Sequence, residues 1–137
     1  MSTLKADTIQ NTSGGAATLT KQSAAKSWYN FDGSASSLSA RDSFNSSSLT
    51  DNATGNYSNN FTNSMGNANY SYSFGSGTHS DSRFFHQTTV DVDESGTGNA
   101  PTTSVFRMQN MVNGGATSAS LDHDHDYISG QIHGDLA

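Results

Sequence analysis

The segment Asn69-Tyr70-Ser71-Tyr72-Ser73-Phe74-Gly75 alternates aromatic and small residues without a break. Only a β-strand separates such residues cleanly, because successive side chains of a strand point to opposite faces. Tyr70, Tyr72 and Phe74 therefore share one face. That face is expected to lie in a core, where one sheet surface is buried and the other wet. The same pattern recurs along the chain. Trp28-Tyr29-Asn30-Phe31-Asp32-Gly33 alternates and closes on Asp-Gly, a turn signal. Further strands are expected over 42–49, 56–62, 84–92, 103–111 and 126–134. Turns are expected at 50–55 and 113–117, and a polar loop over 93–101. About seven strands at regular spacing predict an all-β chain folded as an antiparallel β-sandwich. No strand–helix alternation calls for a parallel sheet.

Ser, Thr, Asn and Gly make up roughly half of the chain, well above average usage. Only 31% is hydrophobic and 13% charged. Disordered chains share the first property but are rich in charge and Pro. Here the aromatics run the length of the sequence, from Trp28 to Tyr127. A fold is expected, with a thin core that gains stability from contact with other copies. The 137 residues suffice for one domain. Residues 27–137 are expected to form it. Residues 1–26 read as an extended arm for attachment or oligomerisation, with a turn at Asn11-Thr12-Ser13-Gly14-Gly15 and a short helix over 20–26 capped by Thr20.

Cysteine is absent, which excludes disulfides and thiolate metal sites. The net charge of −6 argues against a nucleic-acid partner. No apolar run reaches bilayer length, so membrane insertion is not expected. Met1-Ser2-Thr3-Leu4-Lys5 lacks the apolar region of a signal peptide, which predicts synthesis in the cytoplasm.

Three stretches resemble short tail-fibre or fibre-like structural proteins of marine bacteriophages, those of cyanobacteria in particular. The first is Leu4-Lys5-Ala6-Asp7-Thr8-Ile9-Gln10-Asn11-Thr12-Ser13-Gly14-Gly15 with Thr18-Leu19-Thr20-Lys21-Gln22-Ser23-Ala24-Ala25-Lys26. The second runs from Phe31-Asp32-Gly33 through Arg41-Asp42-Ser43-Phe44-Asn45 and Thr50-Asp51-Asn52-Ala53-Thr54-Gly55-Asn56-Tyr57 to Asn69-Tyr70. The third is the closing strand, ending in Gly134-Asp135. The resemblance implies a virion component on the tail or particle surface. It also implies a β-rich head domain, homotrimers, and other virion proteins bound through the arm. It carries no catalytic residues. A capsid-surface decoration protein is the alternative of the same class; a carbohydrate-binding module is a third reading. Receptor contacts to a host surface glycan, if the chain makes them, fall in loops 76–82 and 94–100.

The run Asp122-His123-Asp124-His125-Asp126 stands outside the fibre pattern. In a strand, His123 and His125 point to one side. Three copies around a trimer axis would then offer six imidazoles to a transition metal. The bland alternative, an exposed acidic loop, is the stronger expectation, so no cofactor is expected beyond that metal. Asp91-Val92-Asp93-Glu94-Ser95-Gly96 opens like a calcium loop, but its twelfth position is Thr102 rather than a bidentate Glu. Among so many serines, His79 and Asp81 carry little weight, and no Gly-x-Ser-x-Gly elbow is present. Glu94 is the sole glutamate, which leaves few carboxylate pairs for glycoside cleavage. The chain is expected not to be an enzyme.

Overall fold

A computed structural model describes residues 12–14, 25–77, 85–90, 100–113 and 120–135. The described residues form nine strands and no helix. They are β1 (Ser27–Phe31), β2 (Ala40–Phe44), β3 (Ser48–Ala53), β4 (Asn56–Asn60), β5 (Ser71–Gly77), β6 (Phe85–Val90), β7 (Val105–Asn113), β8 (Ser120–Asp122) and β9 (Tyr127–His133). All pairings are antiparallel. One sheet has the order β2-β1-β9-β5 and the other β3-β4-β7-β6, with β8 also paired to β7.

The all-β antiparallel class is as the alternation predicts; the count of about seven strands is corrected to nine. The expected strand over 42–49 is two strands, broken at Asn45, whose φ of 53° is left-handed. Asn is one of the few residues besides Gly that visit that conformation, and here long-range bonds hold it. The Asn45 amide donates to Lys26 O and Asn63 O, both at 3.0 Å, and its Oδ1 accepts from the Asn63 N–H at 2.6 Å. The chain turns here from the first sheet into the second. The other missed strand, β8, is only three residues long. The helix expected over 20–26 falls mostly outside the described residues, and Ala25 and Lys26 are not helical. Most of the arm and most of loops 76–82 and 94–100 also lie outside them. No described helix is long and apolar enough to cross a membrane.

Register explains the core. Ser27, Tyr29 and Phe31 stand opposite Ile132, Gly130 and Ile128, which in turn face Tyr72, Phe74 and Ser76. From the second sheet come Tyr57 opposite Met108 and Asn59 opposite Phe106. Tyr29, Phe31, Tyr57, Phe106, Met108, Ile128 and Ile132 are all buried. Edge-to-face geometry joins the two sheets at Phe31 and Tyr57, with ring centroids 5.2 Å apart. The shared face of Tyr70, Tyr72 and Phe74 is as expected, but its burial is graded. Tyr70 is buried just ahead of β5, whereas Tyr72 is 42% exposed at the sheet edge.

Tyr29 shows how tight this layer is. Its ring lies over Gly130, where an added Cβ would stand 2.5 Å from the Tyr29 Cζ. No side chain larger than a hydrogen fits at 130. The buried Tyr29 hydroxyl has no hydrogen-bond partner among the described residues. Desolvating an unbonded hydroxyl costs about 1–3 kcal/mol. Tyr29→Phe is therefore expected to stabilise the protein by about 1 kcal/mol. Chemical denaturation checks this; a lower midpoint would mean that the hydroxyl is bonded.

Burial also raises the pKa of three core tyrosines. Tyr29 and Tyr57 are pushed far above the usual phenol value, Tyr57 with help from the Asp124 carboxylate. Tyr70 is pushed up to about 12, first by burial and then by Tyr72. The unfolded chain ionises these groups near pH 10 while the folded chain keeps its protons. Their contribution to stability is complete below pH 10 and is lost as pH rises, at about 1.4 kcal/mol per unit for each tyrosine. Melting temperature is expected to fall steeply between pH 10 and 12, with tyrosinate absorbance from these rings appearing together with loss of the β signal in circular dichroism.

Candidate functional site

Two polar features remain once the core is set aside: an internal hub, and an open cleft on the first sheet. The hub forms where β4 and β8 lie end to end along one edge of β7. β4 pairs with Val105 to Gln109, and β8 with Met111 to Asn113. Asn110, fully buried, sits at the joint. Its N–H donates to Gly55 O at 2.7 Å, and its carbonyl accepts from the His123 N–H at 3.1 Å. Its side-chain Oδ1 accepts from the Thr88 hydroxyl at 2.7 Å. Gly55 makes the β3–β4 turn with φ of 69°.

Asp124 fastens the connection between β8 and β9 to this joint. Its Oδ1 accepts from the Gly55 N–H at 2.6 Å and from the Tyr57 hydroxyl at 2.5 Å. The Tyr57 hydroxyl also lies 3.0 Å from Gly33 O. The Gly33 N–H donates to His125 O at 2.9 Å. Turns from both sheets thus meet on residues 123–125. The backbone and side-chain groups of Gly33, Gly55, Tyr57, Asn110 and Asp124 named here bond one another, which is how a buried polar network becomes stabilising.

The metal reading requires His123 and His125 on one strand, whereas the stronger expectation is an exposed acidic loop. The structure puts them in the irregular connection after β8, yet brings their rings together with centroids 5.3 Å apart. His125 is fully buried and His123 partly so. The described residues contain no group of three ligating side chains that could hold a metal ion. A metal on these imidazoles would draw its other ligands from outside the described residues, and His125 is fully buried. The neighbouring aspartates do not converge on one point. Asp122 accepts from the Gln109 amide at 2.7 Å, whereas Asp124 is turned to Gly55 and Tyr57. The calcium-like run 91–96 and the pair His79 and Asp81 lie outside the described residues.

The sheets differ on their outer faces. On the second sheet the polar side chains bond one another. The Asn52 amide donates to Asn56 Oδ1 at 3.0 Å and to Ser58 Oγ at 2.9 Å. The Asn60 amide donates to Ser48 Oγ and Thr50 Oγ1, each at 3.1 Å, and Arg107 Nε donates to Ser58 Oγ at 3.2 Å. On the first sheet a cleft of about 470 Å³ crosses β1, β9 and β5, with Trp28, Asn30, Ser129, Gln131 and Ser73 along it. At one end Arg41 lies 4.8 Å over the Tyr127 ring and pairs with Asp32 at 3.0 Å. This exposed pair is worth little in stability, but it fixes the rim. Sequence reasoning missed the cleft, because its residues are neighbours only through register. The signal available was the outward phase of the alternation, Trp28 and Asn30, which alternates with the inward Tyr29 and Phe31. Comparison with protein-family models, curated proteins and solved structures finds no match to this chain.

Proposed function

We propose that the chain is a structural, non-catalytic subunit of a bacteriophage particle. In this reading it is a fibre or fibre-like appendage module that forms homotrimers and attaches through residues 1–26 to other virion proteins. The virion assignment rests on the resemblance of the three sequence stretches. The observation that carries assembly is the open end of the core at β5. Tyr72, 42% exposed, stacks on Phe74 with centroids 5.1 Å apart, and both rings contact the fully buried Phe106. The aromatic core thus continues to the surface at an edge strand. Such edges and such rings are what subunit contacts cover.

Light scattering on the purified protein tests assembly: a mass three times the 14.4 kDa of one chain is expected. Quantitative mass spectrometry of banded phage particles tests the virion assignment, and the chain is expected at a fixed copy number. A monomer at all concentrations, together with absence from particles, would sink the reading.

A further inference from the structure

We propose that the outer face of β1, β9 and β5 is a binding site for a neutral oligosaccharide. The proposal deepens the reading of the chain as a surface-exposed module by naming a ligand class and a site.

Strand register builds the site in two rows. Trp28 stands opposite Gln131, which stands opposite Ser73. One step along, Asn30 stands opposite Ser129, which stands opposite Gly75. All lie on the face away from the core, since Tyr29, Ile128 and Ile132 take the inward phase. Gly75 has no side chain and leaves the β5 side of the trough low. Three strands spaced at about 4.8 Å make a trough about 10 Å wide, which suits one or two pyranose rings. Phe44, 51% exposed, stands opposite Trp28 on β2 and extends the first row outward.

The chemistry matches a sugar better than other ligands. A pyranose ring offers an apolar C–H face and a rim of hydroxyls. The partly buried indole of Trp28 supplies a flat apolar surface for the former. Hydroxyls both donate and accept, as do amides and serine hydroxyls. The Gln131 amide, the Ser73 hydroxyl and the Trp28 indole N–H make no side-chain hydrogen bond among the described residues. Asn30 uses only its Oδ1, which accepts from Arg41 at 3.4 Å. The opposite sheet gives a contrast: its outer amides Asn52, Asn60 and Gln109 donate to neighbouring side chains. Among the described residues, no charged side chain lines the cleft. Arg41, which bonds the cleft residue Asn30, is held by Asp32 and by Phe31 O at 3.1 Å. An acidic sugar would meet no free countercharge among the described residues there.

Trp28 is the sole tryptophan, so emission excited at 295 nm reports on the cleft alone. The full-length protein is titrated with hexasaccharides of β-glucose, α-glucose, mannose and N-acetylglucosamine, and with hexagalacturonate as the acidic control. At least one neutral series is expected to shift Trp28 emission saturably, with Kd between about 10 μM and 1 mM. Calorimetry is expected to find binding at least tenfold weaker in Trp28→Ala, several-fold weaker in Gln131→Ala, and unchanged in Asn60→Ala on the other sheet. Circular dichroism checks that each variant folds; if Trp28→Ala does not, Gln131→Ala and Ser73→Ala carry the comparison. Absence of binding by every neutral hexasaccharide would overturn the proposal. So would binding indifferent to these cleft substitutions, or a preference for hexagalacturonate. The titration uses isolated protein, so its outcome is separate from whether the chain is found on particles.

Discussion

Gly55→Ala is expected to destabilise the protein by about 4 kcal/mol, a large part of the stability of a domain this size. Two effects add. Gly55 has φ of 69°, a left-handed conformation that costs alanine about 1 kcal/mol. The new Cβ would also stand 2.5 Å from Asn110 O and 2.8 Å from His123 N. Both are backbone atoms of the joint between β4 and β8, so neither can swing away as a side-chain tip could. Relief requires moving β7 or the connection at 123, and either breaks the Asn110–Gly55 or His123–Asn110 hydrogen bond. Urea denaturation measures the loss. A cost below about 1 kcal/mol would mean that the joint is pliant and that the hub is not a fixed element.

Asp124→Ala is expected to cost about 3 kcal/mol, since charge-assisted hydrogen bonds contribute about 1.5–3 kcal/mol each and this carboxylate accepts two. Partial exposure of Asp124 holds the figure below the sum. Truncation leaves the Gly55 N–H without its acceptor and leaves the Tyr57 hydroxyl only Gly33 O. Asp124→Asn retains an oxygen acceptor and is expected to cost about 1 kcal/mol, so the pair separates the loss of charge from the loss of geometry. Melting midpoints follow, with the alanine variant about 10 °C below the parent. Equal midpoints for the two variants would indicate that the charge, and not the retained acceptor oxygen, carries the whole contribution.

These two residues also mark the limit of what the sequence discloses. Phe31, Tyr57 and Phe106 are legible as core because large rings alternate with small polar residues, and alternation translates directly into one buried face. The strands β2 and β3 are not legible as separate elements. They are mostly exposed, and the break between them depends on Asn45 bonding to residues far along the chain. The run around His123 and His125 reads locally as an acidic exposed loop. In the fold it is pinned by Gly33, Gly55, Tyr57 and Asn110, long-range partners that no window of sequence shows. The cleft escapes for the same reason. Trp28, Gln131 and Ser73 become one surface only when β1, β9 and β5 align, and β9 enters between strands distant from it in sequence.

In the proposed reading this two-sheet domain is a structural part of a phage particle. Electron microscopy of particles carrying a gold-labelled tag at Ala137 tests it most directly. Gold is expected at the tail or its appendages, in threefold groups. Gold spread over the shell would replace the fibre with a decoration role, and particles without gold would contradict the virion assignment altogether.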